Sequence, residues 1–334
     1  MPTATVKSST GKTTFNYIIS TPSTSSATSI DRNLPTLLFI HAFYLGSQIF
    51  QQQLEDPQIR RFNCVTLDLR LHGLTTSDPL PEGYSAKDAA EDVALFMDEI
   101  KLPACHVVGL SMGSMVAIAL AVYSNRVASL FLVSPLGLEE PVDVADGRRE
   151  IAEYWREAFK TGSPDMTTIS DSIYGAHQLG FNNNLNDLVN ALTNISLPPA
   201  LKNSVPGFFE QYDRAVVGFV NNRKEYTKDQ LSRIHVPVKL VHCLGSIAYP
   251  QEYSENFMQQ LKNAEVNVNL ATIPEAPHFG VVTHSDIVNR LLHAFIIDNC
   301  RTPVPPAPQE VSSPWEAELA KAGWKKSVDN PEDD

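Results

Sequence analysis

Short, largely apolar runs recur along this chain and set its architecture. TLLFI (36–40), NCVTLDL (63–69), CHVVGL (105–110) and ASLFLVSPL (128–136) are each bounded by turn residues. Runs of this kind suit strands covered on both faces of a sheet. Helical patterns separate them. SAKDAAEDVALFMDEI (85–100) opens on a serine that can cap the first turn, then spaces Ala89, Val93, Phe96 and Ile100 along one helical face. MGSMVAIALAVYSN follows CHVVGL directly as an apolar helix. Strands alternating with helices predict an α/β fold with a mostly parallel sheet. TTFNYIIS (13–20) adds an early strand, and polar TPSTSSATSIDRNLP (21–35) is a surface loop.

The alternation then stops. From about Gly137 to Arg233 the patterns are helical, as in DGRREIAEYWREAFK, LNDLVNALTNI and VPGFFEQYDRAVVGFVNNR. Strand patterns resume with VPVKLVHCL and VNVNLATI. This predicts an α/β core over 1–136 and 234–300, with an inserted helical cap over 137–233. Such a cap lies at the carboxyl edge of the sheet, where open α/β folds hold ligands. Residues 301–334 are Pro-rich and then highly charged, so a mostly disordered tail is expected, with one short helix around Trp315–Ala322.

Composition narrows the partners. The 334 residues carry 26 Lys+Arg against 38 Asp+Glu, a formal charge of −12. That excess of acid argues against nucleic acid or an anionic membrane surface as a partner. No apolar run reaches the ~18 residues of a membrane span. The opening twenty residues have no basic region followed by an apolar one, so no signal peptide is expected. Cys64, Cys105, Cys243 and Cys300 are widely separated and show neither metal-ligand spacing nor a disulfide framework. A reduced, cytoplasmic setting fits them best. The Asn194-Ile-Ser match to a glycosylation acceptor carries little weight without secretion.

The chemistry-bearing stretch is VVGLSMGS, in which Gly109-Leu110-Ser111-Met112-Gly113 joins a strand to a small-residue helix. A G-x-S-x-G sequence occurs by chance, but in this context it describes a nucleophile elbow. Glycines two residues either side of the serine remove Cβ atoms that would collide in so tight a turn. The elbow also sets Ser111 at a helix N-terminus, where backbone N–H groups can meet a developing oxyanion.

With three further stretches, the chain resembles the α/β-hydrolase fold superfamily over residues ~10–297. LLFIHAFYLGS is similar to the superfamily's oxyanion segment, with Ala42 where glycine is usual. LDLRLHGLTTSD resembles its Asp-x-Arg-Gly-His-Gly turn, with Leu71 replacing the first glycine. IPEAPHFGVV resembles the loop that presents the catalytic histidine, here His278. The resemblance implies a mostly parallel α/β-hydrolase sheet with a helical cap, Ser111 as nucleophile, His278 as base, and the N–H groups of Met112 and Phe43 as oxyanion donors. His41 belongs to the oxyanion segment. His72 lies in a turn, and His106 and His242 lie in strands. Cap aromatics Trp155, Phe208, Phe209, Tyr212 and Phe219 either line an acyl site or form the cap's own core.

The triad order of the superfamily is Ser, acid, His, and the acid normally follows the strand VKLVHC. Aligning CLGSIAYP places Ser246 there. Three explanations stand. The acid has moved to a point after the preceding strand, where SPLGLEEPVD offers Glu139 (the favoured choice) and Glu140; or the enzyme works as a Ser–His dyad, or the position was substituted in this chain; or catalysis is lost and a pocket kept. Glu275 is a further nearby carboxylate with the character of a solvated loop residue. The expected function is hydrolysis of an ester or lactone of a small, fairly apolar acid through a Ser111 acyl-enzyme, without metal or organic cofactor. Carbon–carbon bond hydrolysis and non-catalytic ligand binding are the alternatives. Asp at the Ser111 position would have indicated epoxide hydrolysis or dehalogenation. The partner is a small molecule, and a monomer or homodimer is expected.

Overall fold

The computed structural model of this chain describes residues 1–161, 163–203 and 209–326. Among them run nine strands: β1 (Thr3–Ser8), β2 (Gly11–Ser20), β3 (Thr36–Ile40), β4 (Asn63–Leu67), β5 (Thr76–Ser77), β6 (Cys105–Leu110), β7 (Val127–Val133), β8 (Val238–Cys243) and β9 (Val268–Ile273). They form one sheet in the order β1-β2-β4-β3-β6-β7-β8-β9, with β5 attached to β2. β1, β2 and β5 pair antiparallel, as does β2 with β4. Every pairing from β4 through β9 is parallel. β3, β4 and β6 are buried at every residue, because helices cover both faces of the sheet.

The longer helices are α1 (Ala86–Glu99), α2 (Met112–Tyr123), α3 (Val142–Glu157), α4 (Met166–Phe181), α5 (Asp187–Asn203), α6 (Gln251–Asn263), α7 (Ser285–Asn299) and α8 (Glu316–Lys321). Ser85 and Asp88 form a capping box at the start of α1. α2 is buried from Met112 to Val122, as its apolar sequence requires. One face of the sheet packs Phe15, Phe96 and Val116, and the other packs Phe39, Phe50, Phe131 and Phe295.

Between β7 and β8 the described residues hold helices and turns and no strand. This insertion touches loops at the carboxyl ends of the parallel strands. Gly180 O accepts from Phe279 N at 2.8 Å, and Asn182 Nδ2 donates to Gly245 O at 2.7 Å. Trp155, Phe159 and Ile169 form a small core within it, with Phe209 and Tyr212 packed alongside. Phe208 lies outside the described residues.

The C-terminal stretch departs from the expectation of disorder. Through Lys326 it is packed against the core, and only residues 327–334 fall outside the described chain. Trp315 is fully buried, with Leu319 and Trp324 beside it in the apolar cluster that contains Phe50 and Phe295. Arg60 Nη1 donates to Ser312 O at 2.9 Å, and Arg61 Nε to Pro305 O at 2.7 Å. Asn194 of α5 donates to Ala322 O at 3.0 Å, so the strap also reaches the insertion. The composition that suggests disorder conceals these apolar anchors.

Candidate active site

The turn from β6 to α2 holds Ser111 at φ 50° and ψ −111°, a backbone position that costs a residue with a side chain of order 1 kcal/mol or more. Two glycines make the turn possible. A Cβ on Gly109 would lie 2.7 Å from Gly113 O, and one on Gly113 would lie 2.0 Å from Ile40 O. Both obstacles are backbone, which cannot swing aside. The strained serine is therefore held by neighbours that only glycine can supply.

Ser111 Oγ lies 2.8 Å from His278 Nε2. Ser111 is 1% and His278 2% exposed, so the pair is closed from solvent. Burial, with Arg148, His242 and Arg223 adding positive charge nearby, pushes the His278 imidazole down to about 3. It is thus neutral at ordinary pH, with a lone pair able to take the serine proton. Met112 opens α2, so its N–H has no carbonyl four residues back within the helix to bond. Phe43, in the loop after β3, is buried beside it in the same closed region.

His41 has a different task from contacting a ligand. Its Nε2 accepts from Leu69 N at 2.9 Å, which requires the proton on Nδ1, and Nδ1 then donates to Ala42 O at 2.7 Å. The ring ties the Phe43 loop to the turn after β4. Asp68 braces the same region, accepting from Ser47 N at 2.9 Å, Leu74 N at 3.1 Å and Asn16 Nδ2 at 2.8 Å. Leu71, where glycine is usual, takes φ 62° despite its side chain.

Among the described residues no carboxylate bonds to His278. Ser246 Oγ faces Nδ1 at 3.4 Å, a long contact for a hydrogen bond. Ser134, at the end of β7, donates its hydroxyl to His278 O at 2.6 Å and fixes the backbone of the loop. The position that the superfamily resemblance gives to the triad acid therefore holds Ser246, and the end of the preceding strand holds Ser134. Glu139, the acid favoured from sequence, is set apart: its side chain is 59% exposed and paired with Lys224 at 3.4 Å. The correction has a simple cause. Adjacent residues leave the chain in different directions, and it is Glu140 that turns inward. Glu140 pairs with Arg148 at 2.8 Å and Arg223 at 2.5 Å, and accepts from Tyr249 OH at 2.9 Å. Tyr249 then stacks on His278, ring centroids 5.1 Å apart.

Arg148, Arg223, Tyr249 and Ser134 escape sequence reasoning. The arginines sit in helical patterns indistinguishable from a solvated face, and their burial follows from packing across distant segments. Ser134 had a signal: it occupies the strand end at which a relocated acid would stand.

An apolar cavity of about 90 Å³ is bounded by Tyr44 and Phe279 and by Ile151, Trp155, Phe181 and Tyr212 of the insertion; the Phe279 ring, 5.4 Å from that of His278, stands between it and the pair. Tyr44 and Phe279 are the chain neighbours of Phe43 and His278. Trp155 and Tyr212 thus serve both as insertion core and as cavity wall. Phe219 instead lines a larger surface cleft of about 780 Å³. Ser111 and His278 border neither space, and the small cavity is the one walled by the chain neighbours of His278 and Phe43.

Comparisons with known proteins bear on the fold that carries this arrangement. Residues 35–234 match a family described as alpha/beta hydrolase fold. A thermophilic esterase from Thermogutta terrifontis superposes with a TM-score of 0.67 at 19% identity, covering 89% of this chain and 99% of that one. The enol-lactonase from Burkholderia xenovorans LB400 gives 0.63 at 16% identity, with 85% and 97% covered. A meta-cleavage product hydrolase from Pseudomonas fluorescens IP01 gives 0.59 at 16% identity, with 88% and 97% covered. Among curated proteins, the dihydrolipoyllysine-residue acetyltransferase component of the acetoin cleaving system of Cupriavidus necator is 43% identical over 111 residues, 32% of this chain. The match spans about 28% of that relative's length.

Proposed function

The chain belongs to the alpha/beta hydrolase fold family, and from that premise we propose that it is a serine hydrolase of a carboxylic ester or lactone. The observation that carries this is the 2.8 Å contact between a strained Ser111 and a neutral His278. A serine hydroxyl is a weak nucleophile until a base takes its proton. As Ser111 Oγ bonds to the acyl carbon, its proton passes to His278 Nε2 and the carbonyl electron pair moves onto oxygen. The N–H groups of Met112 and Phe43 hold that oxyanion, each worth ~3–4 kcal/mol if comparable donors are a guide. Collapse expels the alcohol, protonated by His278, and leaves an acyl-enzyme that water hydrolyses by the same steps. The helical insertion acts as the cap, and its apolar cavity takes a small, fairly apolar body. Fold similarity to esterases and a lactonase supports this class of substrate.

Turnover of a panel of p-nitrophenyl esters by the wild type, lost in Ser111→Ala, is expected. Absence of turnover on every ester would remove the proposal. Carbon–carbon bond hydrolysis uses the same residues, and similarity to a meta-cleavage product hydrolase favours testing vinylogous diketones beside the esters. A non-catalytic receptor is favoured by the serine, in place of a carboxylate, at His278 Nδ1. Ligand-induced thermal stabilisation equal in wild type and Ser111→Ala, with no turnover in either, would establish it.

A further inference from the structure

Glu140 lies buried between the Arg148 and Arg223 guanidiniums, at 2.8 and 2.5 Å. Among the described residues no second carboxylate pairs with either arginine. The cluster therefore holds one positive charge without a counter-charge. Arg148 is enclosed, and Arg223, its side chain 6% exposed, borders the surface cleft; a charge so largely withdrawn from water is costly unless an anion meets it.

This cluster is not remote from Ser111. Arg148 Nη2 donates to Tyr249 OH at 3.0 Å, and the Tyr249 ring stacks on His278. The Arg148 guanidinium also lies 5.1 Å from the Phe43 ring centroid. At His278 Nδ1, the position where the resemblance leads one to expect a carboxylate carries Ser246, and Ser134 bonds the His278 carbonyl. One small region thus combines a surplus cation with a histidine that lacks its anionic partner.

We propose that the substrate itself completes this charge: it is a monoanion, an ester or lactone bearing one carboxylate, bound under the cap within reach of Arg148. The inference rests on the hydrolase reading above and deepens it. A single uncompensated charge matches a carboxylate better than a phosphate dianion. Ile151 and Trp155 follow Arg148 by three and seven residues on the same inward face of α3 and border the apolar cavity. The substrate therefore pairs a short apolar body with its carboxylate. When Ser111 gives its proton to His278, the imidazolium forms beside two arginines. A substrate anion offsets that repulsion at the moment it matters, as a triad acid would.

The test compares p-nitrophenyl hemisuccinate with the neutral p-nitrophenyl methyl succinate on the wild-type protein. The anionic ester is expected to have a kcat/KM at least ~10-fold higher. In Arg148→Gln the ratio should fall towards one, and Arg148→Lys should keep part of it. Ser111-dependent turnover of both esters at equal efficiency in wild type would overturn the inference while leaving the hydrolase reading intact, whether or not the variants fold. A binding arm separates the two ideas further. Ser111→Ala should bind monomethyl succinate at least ~10-fold more tightly than dimethyl succinate. Equal affinity contradicts the inference. Preference for the monoanion without turnover of any ester by wild type upholds the anion site and removes the hydrolase reading.

Discussion

His278 has a serine at each ring nitrogen, and the two contacts are unequal. The 2.8 Å partner Ser111 is the group to be activated, whereas Ser246 at 3.4 Å is too distant to orient the ring strongly. Stacking on Tyr249 and the Ser134 bond to the His278 carbonyl take over part of the positioning. Ser246→Asp should place a carboxylate at Nδ1, raise kcat by at least ~10-fold, and move the acid limb of the pH–rate profile up from near 3 towards the ordinary histidine range. Glu139→Gln should leave kcat within about twofold, since its side chain is exposed and paired with Lys224. Unchanged rates in Ser246→Asp, or a collapse in Glu139→Gln, would show that His278 is steered differently. Steady-state kinetics on one responsive ester measures both.

At the scale of elements, the β6–α2 turn is the least forgiving part of the chain. Gly113→Ala would drive a Cβ against Ile40 O of the neighbouring strand, so a loss of stability above ~3 kcal/mol is expected in denaturant unfolding. A loss under ~1 kcal/mol would mean that the turn relaxes more freely than the geometry implies. This turn was legible in the sequence because one local pattern specifies it: a strand, Gly-x-Ser-x-Gly, then small apolar residues. The central strands were legible for the same reason, since β3, β4 and β6 are continuous buried runs between turn residues. Non-local choices were not. Nothing in SPLGLEEPVD tells which glutamate faces Arg148, eight residues on in α3, and Arg223, far along the chain. Nor does a Pro-rich, charged tail advertise that Trp315 and Leu319, four residues apart, occupy one face of a docked helix.

Across the whole molecule, the C-terminal strap and the buried histidines set how the fold responds to perturbation. Trp315→Ala should cost ~3–5 kcal/mol, the range for emptying a fully buried aromatic site. A disordered tail would show no change in the denaturant midpoint. His72 and His278 are both pushed down to about 3, largely by burial, whereas an unfolded chain binds their protons near pH 6.5. Between those values the unfolded state holds more protons, so stability rises with pH and is lost as pH falls from 6.5 towards 3. Each of the two contributes a slope of up to ~1.4 kcal/mol per pH unit. Thermal midpoints should drop steeply below pH 6, and His72→Asn should flatten the slope. An unchanged slope in that variant would place the acid sensitivity elsewhere.

The kinetic expectations all depend on Ser111 being an activated nucleophile within a closed fold. Intact-mass and peptide mass spectrometry after incubation with a fluorophosphonate measures that directly. One phosphonyl adduct on Ser111 is expected in the wild type, slowed in His278→Ala and absent in Ser111→Ala. No adduct on Ser111 under conditions that label a known serine hydrolase completely would contradict the claim.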